Sequence, residues 1–334
     1  MENQKRILIT GASGFIGGFL VKEALQRGYD VWAGIRSGSS REHLQDERIH
    51  FIDLQYDNKA ALTKQLHEAV SLFGAWHYVI HNAGITKTIR TADFYKVNAQ
   101  YTELFIKSLA EAGCVQEKFL FMSSLSSYGA GDEISFRPIH ADDEQRPESN
   151  YGKSKLQAEH YVKAQNDFPY IILCPTGVYG TGDKDYLMEI KSVKAGFDLK
   201  AGLKPQRLSF IYVKDLVTAA FLALENPLIR NTTYLVSDGV TYTDSEFAEI
   251  VKKIEGKHFV LNVRIPLILC YIACVFSEWI GKIFGKPMTL NKDKYKLLKQ
   301  RNWTCETAQT NHELGFTPQY SLKEGLKETI KGGA

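Results

Sequence analysis

A glycine-rich turn between an apolar run and a helical pattern, at residues 11–17, constrains the fold of this chain more than any other feature. Residues 5–10 form a short apolar run rich in β-branched side chains, and residues 19–28 have the pattern of a helix that ends at Gly28. Three glycines lie between them with the spacing Gly-x-x-Gly-x-x-Gly. The order of strand, glycine turn and helix predicts the first βα unit of a parallel α/β fold.

The same turn is predicted to bind a dinucleotide. Gly11 permits a tight turn, Gly14 lets the backbone approach a pyrophosphate, and Gly17 lets the helix pack closely on the strand. The amides at the helix N-terminus then remain free to bind phosphate. An ordinary turn is the alternative, but the flanking strand and helix favour dinucleotide binding. The turn residues predicted to hold the dinucleotide are Gly11, Ser13, Gly14, Phe15, Ile16 and Gly17.

Strand and helix patterns alternate as far as about residue 175. Buried strands are predicted at 30–35, 76–80, 118–122 and 170–174. This alternation predicts a doubly wound parallel sheet, which binds its ligands at the carboxyl ends of the strands. After Gly180 the pattern breaks into shorter and less regular pieces.

Tyr151 and Lys155 stand four residues apart, and on a helix this spacing places both side chains on one face. An ammonium beside a phenol favours the ionised phenol, whose unperturbed pKa is near 10. The same spacing also occurs on solvated helix faces. Combined with the glycine turn, it predicts hydride chemistry on a nicotinamide cofactor, with Tyr151 as the proton carrier.

With these features the chain resembles the extended branch of the short-chain dehydrogenase/reductase superfamily, which includes nucleotide-sugar epimerases, dehydratases, dihydroflavonol-type reductases and sterol dehydrogenases. The resemblance covers nearly the whole chain and is nearest to the dihydroflavonol-reductase-like and 3β-hydroxysteroid-dehydrogenase-like members. Besides the two motifs, it rests on Asp53-Leu54, His81-Asn-Ala-Gly84, Asn98, the serine-rich segment 123–129 and the segment 175–180.

The resemblance implies roles for individual residues. Ser124 is expected to hydrogen-bond the substrate oxygen while Tyr151 exchanges the proton and Lys155 also holds the nicotinamide ribose. Ser123 and Ser126 are alternatives to Ser124, and each serine is otherwise a strand-end turn hydroxyl. Further implied cofactor contacts are Asp53 at the adenine, Leu54, Asn82, Ala83, Gly84, Asn98, Ser123, Pro175, Thr176, Gly177 and Val178.

The resemblance also implies two lobes built from interleaved segments. Residues 1–180 and 208–237 are expected to form the NADP-binding Rossmann domain. Residues 181–207 and 238–331 are expected to form a smaller, discontinuous substrate-binding lobe. Asp215 is expected to be a structural aspartate at a helix start rather than a catalyst.

The end of the second strand bears on the choice of cofactor. NAD-selective relatives usually place an acidic residue there, whereas this chain reads Gly34-Ile-Arg-Ser-Gly-Ser-Ser-Arg41. Arg36 can bind a 2′-phosphate bidentately, and Ser37, Ser39 and Arg41 can supply further donors. A solvated basic loop is the alternative. We therefore predict NADP(H) as the favoured cofactor, with NAD(H) as the second choice.

Composition excludes several other classes of function. A chain of 334 residues with a net charge of +3 gives no sign of a nucleic-acid partner, and the histidines and five scattered cysteines have no metal-ligand spacing. We expect no metal, reduced cysteines and a cytoplasmic location. The glycine turn also comes too early for an apolar export segment to precede it.

The segment 265–284 begins with residues 265–277, which are apolar on every side, and Arg264, Lys282 and Lys286 flank this stretch. The apolar stretch is too short to span a bilayer, which needs about 20 apolar residues. A core helix, a lid over an oily pocket and a peripheral membrane contact are the alternatives. Sterol dehydrogenases of this branch have an apolar segment in a similar region, which by resemblance suggests a lipophilic substrate.

These observations favour a reductase or dehydrogenase that interconverts a secondary alcohol and a ketone, acting on a bulky or lipophilic small molecule. A nucleotide-sugar 4-epimerase is the first alternative, with Lys200, Lys204 and Arg207 available to clamp a diphosphate. A dehydratase is disfavoured, because Leu125 and Ser126 stand where those relatives have an acidic pair. A non-catalytic NADP-binding sensor or scaffold is the remaining alternative. Relatives commonly form homodimers through two helices of the first lobe.

Overall fold

A parallel sheet of seven strands forms the centre of the protein. The computed structural model describes residues 4–333. Its strands are β1 (Arg6–Thr10), β2 (Asp30–Ile35), β3 (His50–Asp53), β4 (Trp76–His81), β5 (Val115–Met122), β6 (Tyr170–Pro175), β7 (Gly177–Tyr179), β8 (Phe197–Ala201), β9 (Arg207–Leu208), β10 (Phe210–Tyr212), β11 (Thr232–Val236), β12 (Tyr242–Thr243), β13 (Leu261–Ile265) and β14 (Asn302–Trp303).

The central sheet has the order β11-β6-β5-β4-β1-β2-β3, and every neighbouring pair in it is parallel. The chain runs outward from β1 through β2 to β3, then crosses back to β4 on the other side of β1. This reversal of strand order creates a crevice at the carboxyl ends of β1 and β4. The doubly wound α/β fold predicted from the sequence is confirmed.

Helices cover both faces of this sheet and continue through the C-terminal part of the chain. They are α1 (Phe15–Gln26), α2 (Lys59–Phe73), α3 (Ala92–Phe94), α4 (Tyr101–Glu111), α5 (Asn150–Ala164), α6 (Asp185–Lys194), α7 (Val213–Glu225), α8 (Asp244–Ile254), α9 (Leu267–Ile283), α10 (Lys292–Leu298), α11 (Ala308–Leu314) and α12 (Leu322–Lys331). A π-helical stretch, Tyr95–Gln100, joins α3 to α4, and a 3-10 turn spans Leu125–Ser127.

Alternation along the strands divides the core into two layers. In β1, Ile7 and Ile9 pack with α1 and α7 on one face, whereas Leu8 packs with α2, α4 and α5 on the other. All three side chains are fully buried, as expected for a parallel sheet covered on both faces. Close packing of α1 also depends on Gly17, where an added Cβ would lie 2.1 Å from the carbonyl oxygen of Gly11.

A third apolar cluster joins the later segments. It packs residues of α6 and α8, such as Ile190 and Phe247, against β10 and α12. Three small sheets, β10-β7, β12-β9-β14 and β13-β8, lie among these elements. The domain boundaries given above stay a prediction, although the central sheet does take its strands only from within 6–175 and 232–236.

Asp215 has a structural role, but it binds a distant segment instead of capping its own helix. It lies in the first turn of α7, and its carboxylate accepts hydrogen bonds from the backbone amides of Gln319 (3.0 Å) and Tyr320 (3.0 Å). The aspartate therefore holds the segment before α12 against α7. The residues around Asp215 in the sequence gave no indication of this long-range contact.

Helix α9 is a surface helix. Only Cys274 and Gly281 are buried among its residues, so the alternative of a core helix is wrong. Within residues 4–333, no helix has the length and apolar character needed to cross a membrane.

Candidate active site

The loops that follow β1, β4, β5 and β6 meet in a cleft at the carboxyl edge of the sheet. A cavity of about 1330 Å³ occupies this cleft and continues toward α9 and α10. Most residues predicted to bind cofactor or substrate line it: Gly11, Ser13, Gly14, Phe15, Ile16, Arg36, Asn82, Ala83, Gly84, Ser123, Ser124, Tyr151, Lys155, Pro175, Thr176, Gly177 and Val178.

The N-terminus of α1 is suited to bind an anion. Gly14 is the N-cap residue, no side chain caps the helix, and its first turn contains no acidic residue. Gly11, Ser13 and Gly14 border the cavity beside these free amides. Because a helix N-terminus has a partial positive charge, a pyrophosphate placed there would be stabilised. The residues present therefore fit the phosphates of a dinucleotide.

The loop after β2 forms the far end of the cavity. Arg36 is exposed and lines the cavity together with Ser39. Asp53 accepts a hydrogen bond from the amide of Ser37 (2.9 Å) and shapes this loop. Arg41 instead stacks on Phe51, with its guanidinium carbon 4.2 Å from the ring centre. Of the basic side chains predicted here, Arg36 is thus the one that faces the cleft.

Four of the predicted cofactor residues do not line the cavity. Gly17 lies in the buried start of α1, and Leu54 is buried in the core beneath β2. Asp53 makes the loop contact described above. Asn98 is fully buried in the π-helical stretch, where its amide nitrogen donates to the Ile85 carbonyl (3.0 Å) and to the Ser154 hydroxyl (3.0 Å). Asn98 therefore ties the loop after β4 to α5.

Helix α5 brings Tyr151 and Lys155 to the cleft on one face. Ser124, which follows β5, interacts with the phenol of Tyr151, and both side chains line the cavity. The ammonium of Lys155 donates to the carbonyl of Met122 (2.7 Å) and lies above the ring of Phe121. Three side chains from two elements thus meet at the end of β5.

Burial shifts the pKa of both ionisable groups. It raises the pKa of Tyr151 to about 12, an effect that the Ser124 hydroxyl opposes. It lowers the pKa of Lys155 to about 8, an effect that the negative charge of Glu159 opposes. At neutral pH the phenol therefore retains its proton while the lysine is mostly charged.

The three candidate serines face different surroundings. Ser124 reaches Tyr151, whereas the hydroxyl of Ser123 donates to the buried carboxylate of Glu159. Glu159 also accepts a hydrogen bond from Gln145 (2.8 Å) and is fully buried below the cleft. Ser126 donates its backbone amide to the Ser124 hydroxyl (3.2 Å). Of the three serines, Ser124 is therefore the one that interacts with the Tyr151 phenol.

Two residues that position α5 were missed in the sequence. Gly152 lets the helix approach the serine turn, by which we mean Ser124 and the 3-10 turn Leu125–Ser127 that follows it. An added Cβ at Gly152 would lie 2.1 Å from the carbonyl oxygen of Ser126. Asp293 of α10 accepts hydrogen bonds from the backbone amides of Asn150 (2.6 Å) and Tyr151 (3.1 Å). A negative charge at this helix start is favourable. Gly152 was visible within the Tyr-Gly-x-x-Lys segment, but no local signal marks Asp293.

The inner part of the cavity, beyond Tyr151, is apolar and acidic. Lys200 lies there, but its ammonium is held between the carboxylates of Glu189 (2.8 Å) and Asp198 (2.8 Å). Lys204 and Arg207 do not line the cavity, and the Arg207 guanidinium stacks on Phe136. The charged residues that line this part are Lys87, Asp183, Lys184, Asp185, Glu189, Asp198, Lys200, Asp244, Asp293 and Lys294.

Comparisons with known proteins agree with this geometry. Residues 7–236 match the model of the NAD dependent epimerase/dehydratase family. The chain is 27% identical to a UDP-glucose 4-epimerase of Vibrio cholerae over 98% of this chain and 95% of the relative. It is 24% identical to a 3-beta-hydroxysteroid dehydrogenase of Mycolicibacterium neoaurum over 97% of this chain and 90% of the relative.

The fold is also that of solved structures. A UDP-glucose 4-epimerase of Thermotoga maritima, solved with UDP-glucose, gives a TM-score of 0.77 at 22% identity and covers 98% of both chains. The relatives thus include both epimerases and dehydrogenases, and they support the resemblance drawn from the sequence. The chain belongs to the NAD-dependent epimerase/dehydratase family, within the extended short-chain dehydrogenase/reductases.

Proposed function

We propose that the protein is an NADP(H)-preferring oxidoreductase that reduces a bulky, lipophilic ketone to a secondary alcohol. The observation that carries the substrate class is the pairing of Lys200 with Glu189 and Asp198, because this lysine has no free charge for a diphosphate. Apolar side chains such as Leu269 and Leu290 line the same part of the cavity. An apolar substrate gains from burial there, whereas a diphosphate would meet several carboxylates.

The proposed roles follow from the contacts in the cleft. A bound nicotinamide would supply the hydride that reaches the carbonyl carbon. Tyr151 donates its proton to the carbonyl oxygen, which Ser124 holds by a hydrogen bond. The Lys155 ammonium stabilises the phenolate that forms. The uncapped start of α1 and Arg36 hold the phosphates, with Arg36 on a 2′-phosphate.

A second candidate is a nucleotide-sugar 4-epimerase. The observation that favours it is the similarity to the Vibrio cholerae UDP-glucose 4-epimerase over nearly the whole of both chains. An epimerase oxidises and then reduces its substrate within one turnover and retains its cofactor. A reductase must exchange the cofactor in every turnover. Cofactor retention therefore separates the two candidates.

The test begins by denaturing purified protein and asking whether a dinucleotide is released. NADPH and NADH are then titrated by fluorescence, and NADPH oxidation is followed with a 3-ketosterol, a 3-ketosphingoid base and a long-chain ketone. We expect no retained cofactor, tighter binding of NADPH and turnover of at least one ketone. Tightly retained NAD together with interconversion of UDP-glucose and UDP-galactose would overturn the proposal in favour of the epimerase.

Arg36→Asp tests the cofactor preference separately. Removing a charge-assisted contact to a 2′-phosphate costs about 1.5 to 3 kcal/mol, or roughly 10- to 150-fold in affinity. We expect that loss for NADPH and a much smaller change for NADH. Arg41→Asp is the matched control, because Arg41 lies on Phe51 in the same loop and does not line the cavity. Equal losses of both dinucleotides in Arg36→Asp would contradict the assigned role.

A further inference from the structure

Helix α9 has a continuous stripe of exposed apolar side chains. Ile268, Ile272, Phe276, Trp279 and Ile283 follow one another at spacings of three or four residues, so they share one side of the helix. Each is between 56% and 63% exposed. The buried residues Cys274 and Gly281 lie on the opposite side. Contiguous apolar surface of this kind commonly marks an interaction site.

The neighbourhood of α9 in the sequence is strongly basic. Residues 257–299 contain eight lysines and arginines but two acidic residues, Glu278 and Asp293, whereas the whole chain is nearly balanced with 41 and 38. Lys282, which pairs with Glu278 (2.9 Å), is exposed in the last turn of the helix, and Lys286 is exposed three residues after the helix ends; Trp279 is exposed on the preceding turn. An indole together with lysines that reach from an apolar surface into water is typical of side chains at the level of lipid head groups.

We propose that α9 docks flat on the surface of a membrane that contains anionic lipids, with this apolar stripe inserted among the acyl chains. The helix has 17 residues, and its exposed stripe lies on one side, which suits an interfacial rather than a spanning position. The basic excess complements anionic head groups. A second copy of the chain is a less favourable occupant, because two such segments would bring like charges together.

The docked helix would place the cavity beside the bilayer. Leu269 and Ala273 line the cavity from the side of α9 next to the exposed stripe, and Leu290 lines it after the helix. A substrate dissolved in the acyl chains would therefore meet the cleft without crossing bulk water. This consequence rests on the proposed reduction of a lipophilic ketone, whereas the docking itself does not.

The test is co-sedimentation of the whole protein with vesicles of phosphatidylcholine alone and of phosphatidylcholine with roughly one third phosphatidylglycerol. We expect binding to the anionic vesicles that weakens as salt is raised. Ile272→Asp should lower this binding at least about tenfold, since a carboxylate is costly among acyl chains. Lys286→Glu should lower binding to the anionic vesicles and leave binding to phosphatidylcholine unchanged.

Leu72→Asp is the matched control, because Leu72 is a helical residue that is 75% exposed on α2. Its binding should equal that of the unmodified protein. Ile272 does not line the cavity, so Ile272→Asp should retain dinucleotide affinity, which shows that it is folded.

Three outcomes would overturn the docking proposal. The first is no binding to either kind of vesicle, and the second is full binding by Ile272→Asp. The third is that the unmodified protein sediments as a dimer and does not bind vesicles, while Ile272→Asp sediments as a monomer. That result would identify a second copy of the chain as the occupant. Because vesicle binding involves no turnover, a failure of ketone reduction and a failure of docking are observed separately.

Discussion

Burial shifts the pKa values of Tyr151 and Lys155 in opposite directions. The phenol of Tyr151, with a pKa of about 12, keeps its proton at neutral pH, and the Lys155 ammonium, with a pKa of about 8, is close to losing one. A phenol that keeps its proton suits donation of that proton to a developing alkoxide. The resting protonation states therefore support the direction of reduction.

The lowered pKa of Lys155 predicts a pH limit on turnover. A lysine with a pKa of about 8 is charged below that pH and neutral above it, so the stabilisation of the phenolate is lost as the pH rises. We expect the kcat of ketone reduction to fall as the pH rises above about 8. Lys155→Met should lower kcat about 100-fold and flatten this descending limb. A descending limb that persists unchanged in Lys155→Met would assign it to another group.

Tyr151→Phe tests the proton donor. The change removes the phenolic hydroxyl and keeps the ring, which packs edge-on against Phe94. We expect kcat to fall by about 10²- to 10⁴-fold, the usual contribution of a positioned acid, with less than about threefold change in the Kd of NADPH. Stopped-flow turnover and fluorescence titration measure the two quantities. Turnover above roughly a tenth of the original would remove Tyr151 from the mechanism.

At the scale of elements, the position of α5 decides the geometry of the cleft. The Ser149 hydroxyl caps its N-terminus by accepting a hydrogen bond from the Gly152 amide (3.0 Å). Asp293 of α10 accepts a second hydrogen bond at the same end, from the Asn150 amide. Gly152 faces the serine turn, and Asn98 holds the helix through Ser154. Four contacts on the first turns thus fix where Tyr151 stands relative to Ser124.

Gly152→Ala should disturb this arrangement directly. The added methyl group would lie 2.1 Å from the Ser126 carbonyl oxygen, so the helix or the serine turn must move. Displacing a catalytic group by about 1 Å commonly costs about 100-fold in rate. We expect kcat to fall at least about tenfold while the dinucleotide still binds.

Lys153→Ala is the control for this change, because Lys153 is exposed on the same helix. It should retain full activity. Full activity in Gly152→Ala, measured at saturating cofactor, would show that the close contact between α5 and the serine turn is not needed for catalysis.

At the scale of the whole molecule, a buried histidine makes stability depend on pH. His81 ends β4 and is hydrogen-bonded to the hydroxyls of Thr10 (2.8 Å) and Thr102 (2.9 Å). Burial, with a smaller effect of the Lys155 charge, lowers the pKa of His81 to about 3. The unfolded chain takes up this proton near pH 6.5, so it binds more protons than the folded chain between about pH 3 and 6.5.

Stability should therefore fall as the pH decreases from about 6.5 toward 3. At about pH 4.5 the contribution of His81 alone is about 3 kcal/mol. Urea unfolding of the unmodified protein and of His81→Asn at about pH 7.5 and 4.5 measures it. The loss of unfolding free energy between these pH values should be smaller in His81→Asn by that amount. Equal losses in both proteins would show that other groups control acid unfolding.

The sequence predicted the parts of the molecule that depend on local patterns. The strand Asp30–Ile35 was predicted with its observed bounds, and Gly11, Gly14, Tyr151 and Lys155 all line the cleft. Asp293 was missed because its contact with Asn150 spans 143 residues. The surface position of α9 was not predictable, because an apolar run has the same appearance in a core as on an interface.

The order of strands in the central sheet has a consequence for synthesis on the ribosome. The outer strand β11 pairs with β6 only after residues 176–231 have been made, and until then β6 is an open edge. The apolar layer beside α1 and α7 is completed later still, by Leu314 and Phe316. The nucleotide-binding part therefore comes first in the chain but cannot finish folding until nearly the whole protein has emerged.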